Sequence, residues 1–143
     1  AARGVAGDRV VFALRKPLGD YMVQYRIADL ALDTFPYTSH TTASDALWMG
    51  CPLVTRPGDT FASRVAASVL TNAGVPELIA DNADHYERLV IELATAPEKL
   101  QEVRRRLQET RLSCALFDTP RFVRNLEAAY EEMFGAWLRK DTQ

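Results

Sequence analysis

The feature that most constrains this chain is an alternation. Between Arg9 and Ala80, short apolar runs take turns with segments of helical spacing, and glycine or proline punctuates most of the change-overs. Arg9-Val10-Val11-Phe12-Ala13-Leu14 follows a Gly-Asp turn and reads as a buried strand, broken by Pro17 and Gly19. Asp20 is placed to cap a helix through about Ala28, with Tyr21, Tyr25 and Ala28 on one face. Asp29 to Asp33 reads as a second strand, Ala43 to Met49 as a helix stopped by Gly50, and Pro52 to Thr55 as a third strand. Phe61 to Asn72 is expected to be a helix ended by Gly74, and Pro76 to Ala80 a last short strand. Strand and helix repeating at this spacing predict parallel crossover units, hence an α/β fold: a Rossmann-like parallel sheet with flanking helices.

After residue 80 the pattern turns helical, from Asp84 to Thr95, from Pro97 through Arg111, and from Pro120 to about Arg139. The expected organisation is one domain over 1–143, with a βα portion to about residue 80 and C-terminal helices over about 83–140. Arg104-Arg105-Arg106 lies beside the stripe Leu100, Val103, Leu107 and is expected to be a solvated helix face. The last helix carries Phe122, Leu126, Tyr130, Met133, Phe134 and Trp137 as one aromatic-rich stripe. Such a stripe packs on the chain's own helices or covers a neighbouring domain, and both readings stay open. Ala1 to Gly7 reads as a helix tail ending at a glycine, and with no initiator methionine the chain is expected to be a piece of a longer one.

Composition narrows the function. With 143 residues, 48% of them hydrophobic, the chain can bury a sizeable core. A net charge of −2 argues against a nucleic-acid partner, which would require a concentrated basic face. No apolar stretch reaches the length of a membrane span and the first residues lack the layout of a secretory signal, so no membrane partner and a cytoplasmic location are expected. Cys51 and Cys114 are too few for a disulfide framework or a zinc site, and Cys51 is expected to be buried and reduced. The absence of an Asp-x-Asp pair or a His/Cys cluster gives the expectation of no metal and no cofactor.

Chemistry collects in one loop, Asp33-Thr34-Phe35-Pro36-Tyr37-Thr38-Ser39-His40-Thr41-Thr42-Ala43-Ser44-Asp45. It follows the second strand and enters a helix, and in open parallel sheets ligands bind beyond the carboxyl ends of the strands. The first N–H groups of that helix, from Thr41 onward, and its positive dipole end suit an anion such as a diphosphate. The Thr41 and Thr42 hydroxyls add donors, His40 can reach a phosphate oxygen or a sugar, and Asp45 suits ribose hydroxyls. The plain alternative is Ser39 or Thr41 as an N-cap, Asp45 as a first-turn acid and His40 as an ordinary exposed residue.

From Val10 to about Trp137 the sequence resembles the C-terminal end of the O-GlcNAc transferase family. The resemblance rests on ordered blocks: Ala28 to Thr34, His40-Thr41-Thr42, Asp45 to Trp48, Gly50-Cys51-Pro52, Val54-Thr55, Pro57 to Thr60, Ala62 to Ser68 and Glu77 to Ala80. It implies the donor half of a GT-B glycosyltransferase, with residues to about 80 as the nucleotide-binding portion. It also implies UDP contacts at His40, Thr41, Thr42, Asp45, Tyr21 and Lys16, the last through main chain. Tyr37 is implied near the donor sugar, while Tyr21 has a second reading as a core tyrosine beside Tyr25.

Leu18 and Gln24 depart from basic residues found in some relatives. Arg64 faces either the cleft or an interhelical salt bridge. His85 matches none of the family's acceptor-handling histidines, and no catalytic residue is expected in this chain, because the activating lysine of the family lies upstream. The implied reaction is inverting transfer of GlcNAc from UDP-GlcNAc to protein serine or threonine, with the chain alone inactive. Implied partners are the nucleotide-sugar, the acceptor protein, an upstream catalytic half and tetratricopeptide (TPR) repeats of the same polypeptide, with self-association of the isolated piece. GDP-fucose or UDP-glucose as donor, and a non-catalytic GT-B-like interaction module, are the competing readings.

Overall fold

A computed structural model describes residues 4–140. Helix α1 (Leu18–Ile27) leads into strand β1 (Ala31–Leu32), and helix α2 (Thr41–Trp48) crosses to strand β2 (Leu53–Val54). Helices α3 (Val65–Ala73), α4 (Ala83–Thr95), α5 (Pro97–Thr110) and α6 (Thr119–Lys140) follow. β1 and β2 run parallel, Ala31 opposite Leu53 and Leu32 opposite Val54. Thr55 extends the sheet by a parallel bridge to Ile79. This is the expected crossover arrangement, with shorter strands.

The core forms where these elements meet. Leu47 of α2, Val54 of β2, Leu70 of α3 and Leu78 join Leu93 of α4 and Val103 and Leu107 of α5, all at most 6% exposed. Each such side chain contributes about 1.5–3 kcal/mol by leaving water, more than the exposed ion pairs on α4 and α5 can. Gly50 and Gly74 end α2 and α3 with φ of 76° and 82°, a conformation that lets the chain turn sharply back into the sheet layer.

Several expectations are corrected. Val10 to Leu14 is not a strand: after a 3-10 turn at Gly7–Arg9 the backbone is irregular to Pro17, and Val11, Phe12 and Leu14 are 83–88% exposed. Apolar composition invited the strand, but a strand also needs a neighbour to take its N–H and C=O groups, and no described strand pairs with it. Of the helix tail expected over Ala1 to Gly7, the first three residues lie outside the described residues, and Gly4 to Ala6 is not helical. α1 starts two residues before Asp20, with Pro17 at its cap position, so Asp20 is a first-turn acid and not the cap. α3 starts at Val65 and not at Phe61, because Thr60 N–H donates to Ser63 Oγ (3.0 Å) and Ser63 Oγ–H to Thr60 O (2.8 Å), which holds a turn there.

Pro76–Leu78 forms a 3-10 turn where a strand was expected. Pro76 has no N–H to give a sheet, and pairing with Thr55 is limited to Thr55 N–H donating to Leu78 O (3.1 Å) and Ala80 N–H donating to Thr55 O (2.8 Å), the two bonds that flank Ile79. The three arginines are not one solvated face. Arg104 donates to the carbonyls of Ala28 (2.9 Å) and Asp29 (3.2 Å), Arg106 pairs with Glu77, and only Arg105 stays on the outer face with Glu102 and Glu109. On α6 the stripe finds no cover: Phe122, Tyr130, Met133, Phe134 and Trp137 are 55–66% exposed. Packing on the chain's own helices is therefore not what the stripe does in this structure.

Candidate functional site

The loop after β1 is built around Asp33, which is buried at the strand's carboxyl end. Its Oδ1 accepts from Thr34 N–H (2.9 Å) and Ser39 N–H (2.7 Å), and its Oδ2 accepts from the Thr55 hydroxyl (2.6 Å) beyond β2. A buried carboxylate is costly unless such donors surround it, so this one fixes the loop against both strands. Tyr86 of α4 adds a bond from its hydroxyl to Asp33 O (2.9 Å), and burial, then the Asp33 charge, pushes that phenol above its ordinary pKa. Thr38, also buried, donates from N–H (3.2 Å) and hydroxyl (2.7 Å) to Ala62 O and so ties the loop to the approach of α3.

Held this way, the loop delivers His40 to the N-cap position of α2. No side chain caps the helix, which excludes the Ser39 and Thr41 caps. Ala43 and Ser44 donate to His40 O, while the N–H groups of Thr41 and Thr42 find no acceptor among the described residues. Both threonines are exposed. The His40 ring stacks on Tyr37 (centroids 5.0 Å apart, planes at 17°) and meets Phe61 edge-on at 6.3 Å, and its Nε2 lies 3.4 Å from Ala62 O. An open hollow of about 370 Å³ is lined by Thr34 and by residues 37–42. Free amides, two hydroxyls and a braced imidazole facing one hollow can hold an anion.

Asp45 lies in the second turn of α2 and is half-buried, so it is not a first-turn acid. It is close enough to α1 for its charge to help push up the Tyr25 phenol, after burial and the Tyr21 hydrogen bond. Tyr21 is half-buried; its hydroxyl lies 2.7 Å from that of Tyr25 and the rings meet edge-on at 5.4 Å. Tyr21 also lines a second hollow of about 620 Å³ with Lys16, Leu18, Gln24 and residues 13–15. The structure thus gathers Tyr37, His40, Thr41 and Thr42 in one hollow and Lys16 and Tyr21 in another, with Asp45 on the helix between α1 and the loop.

Asp33 and Thr38 organise the site, and sequence reasoning passed over both. The available signal was an acid directly at the end of an apolar strand. Arg64 is exposed, and among the described residues it forms no ion pair, so the interhelical salt bridge is not found there. Cys51 is buried as expected, and desolvation pushes its thiol up and away from reactivity. His85 sits at the surface beside Asp81 (3.1 Å). Among the described residues no three His, Cys, Asp or Glu side chains are grouped to hold a metal ion, and no helix is long and apolar enough to cross a membrane.

Comparison with known proteins bears on family and fold. A family model for glycosyl transferase family 41 matches residues 1–126. The probable UDP-N-acetylglucosamine–peptide N-acetylglucosaminyltransferase SEC of Arabidopsis thaliana is 37% identical over 94% of this chain and 14% of its own length. The probable enzyme of the same description named SPINDLY, from Hordeum vulgare, is 37% identical over 86% of this chain and 13% of its own. A solved structure of a mutant O-GlcNAc transferase from Thermobaculum terrenum superposes with a TM-score of 0.87 at 36% identity, over 92% of this chain and 25% of that one. The chain therefore spans about one-seventh of the length of the curated relatives, and its fold is that of the corresponding quarter of the solved transferase.

Proposed function

The chain belongs to glycosyl transferase family 41, and from that premise we propose that it is the donor-binding portion of an enzyme that moves GlcNAc from UDP-GlcNAc to a protein serine or threonine. The observation that carries this reading is the uncapped start of α2, with Thr41 and Thr42 N–H groups free beside His40. In this proposal the diphosphate lies on those amides, His40 donates to a phosphate oxygen, Asp45 takes ribose hydroxyls, and Tyr21 with the Lys16 main chain meets the uracil. Tyr37 stands at the sugar. Charge on the diphosphate is met by amides and the helix dipole in place of a metal ion.

The chemistry then follows from where charge develops. The acceptor hydroxyl attacks the anomeric carbon opposite the diphosphate, the bond to the β-phosphate oxygen breaks, and its electron pair stays on UDP. Donors already aimed at that oxygen stabilise the transition state without reorganising. Inversion at the sugar is the stereochemical result. No residue of this chain is assigned to take the acceptor's proton; that task belongs to the remaining length of the family's members, with any TPR repeats, in the cytoplasm.

Isothermal calorimetry of UDP with the full-length protein tests the placement. His40→Ala and Asp45→Ala should each weaken binding about tenfold, the scale of one hydrogen bond to a charged or well-placed partner. Unchanged affinity in both variants would remove the basis of the assignment.

A further inference from the structure

The carboxyl edge of the sheet holds another hollow, which the donor reading leaves unused. It measures about 190 Å³ and is lined by Asp33, Thr34, Phe35, Arg56, Ala83 and Tyr86. Arg56, two residues past β2, lays its guanidinium over the Phe35 ring with Cζ 3.7 Å from the centroid. The ring is braced in turn by Gly58: a Cβ there would stand 3.0 Å from Phe35 Cε2 and 2.8 Å from Ser63 Oγ, so only glycine lets the two loops close. Stacking occupies a face of the guanidinium and leaves its in-plane N–H donors open. None of them meets a carboxylate or carbonyl of the described residues. Asp33, the carboxylate that lines the same hollow, is held by Thr34, Ser39 and Thr55.

We propose that Arg56, stacked on Phe35, is an acceptor-selecting residue that binds a carboxylate side chain flanking the serine or threonine to be modified. The hollow shares Thr34 with the one at the start of α2 and no residue with the one walled by α1. A nucleotide with its base against Tyr21 and its diphosphate on α2 directs its sugar away from α1. The acceptor must meet the sugar there, and a planar cation with free donors offers a carboxylate two parallel hydrogen bonds. Ring and cation are fixed beforehand, so little entropy is lost on docking. The proposal rests on the donor reading above.

Paired fluorescent acceptor peptides, identical except for Asp and Glu against Asn and Gln beside the serine or threonine, are titrated into the full-length protein by anisotropy, and UDP is titrated separately. The wild type should bind the acidic member more tightly, by about tenfold for one desolvated bidentate pair. Arg56→Ala should abolish the difference while binding UDP as the wild type does, and Arg56→Glu should favour peptides with flanking lysine. Equal affinity of the wild type for both members, or an Arg56→Ala loss shared equally by both, would overturn the proposal, as would a parallel loss of UDP affinity. A protein that discriminates peptides through Arg56 but does not bind UDP would retain this assignment and sink the donor reading instead.

Discussion

Two apolar populations coexist in this chain and meet opposite fates. Between β1 and α5, Leu47, Leu70 and Leu78 are at most 1% exposed, whereas Val11, Phe12 and Leu14 before α1 are 83–88% exposed and the α6 stripe is more than half exposed at most positions. Both groups are hydrophobic by sequence. The difference is that the first lies on elements whose crossovers bring their faces together, while the second lies on segments that join neither the sheet nor the core cluster among the described residues. Burial is thus decided by topology, and hydrophobicity states only a demand for it. The loop proposed to receive the diphosphate belongs to the first population: Asp33 and Thr38 anchor it to the end of β2 and to the approach of α3, so its precision derives from the buried part.

If this division is right, the largest effect comes from Leu70→Ala, which should destabilise by about 2–5 kcal/mol through lost transfer energy and a cavity. Phe12→Ala should change stability by less than about 0.5 kcal/mol despite removing a larger side chain. Denaturant melts of the two variants would break the comparison if their costs were similar. Asp33→Ala comes next: it strands the donors of Thr34, Ser39 and Thr55, and should cost about 1–3 kcal/mol for the most buried of them. It should also weaken UDP binding although Asp33 touches no part of the proposed ligand, which calorimetry on the still-folded variant would register.

The smallest effect on stability is expected at α6. Phe134 and Trp137 stack on each other at 5.8 Å and remain exposed, so changing both to serine should leave the melt within about 0.5 kcal/mol of the starting chain. Light scattering should respond instead, since an apolar stripe of this length favours association. The 143-residue chain should show concentration-dependent mass that the double variant loses; a monomer at every concentration would contradict this.

The same division explains what the sequence disclosed. Glycine stops at Gly50 and Gly74, the β1–α2–β2 crossover and the three last helices were legible because each is written in local chemistry. The position of the loop at a strand-to-helix turn was legible too, whereas the purpose of its histidine and paired threonines was not, since cap and surface roles fit the same residues. Val10 to Leu14 was misread because a strand pattern does not say whether a partner strand is at hand. Asp33 escaped notice because an acid at a loop boundary looks solvent-facing until Thr55, 22 positions later, is brought beside it. Arg104 and Arg106 read as a solvated face for the same reason, their partners at Ala28 and Glu77 being distant along the chain.

The central claim is that the free amides of Thr41 and Thr42 receive the diphosphate. Backbone hydrogen exchange of the full-length protein, with and without UDP, reads those amides directly. The account predicts that UDP slows exchange in the first turn of α2, over residues 40–45, and leaves α6 unchanged. No protection in that turn at saturating UDP, or protection confined to other segments, would contradict it.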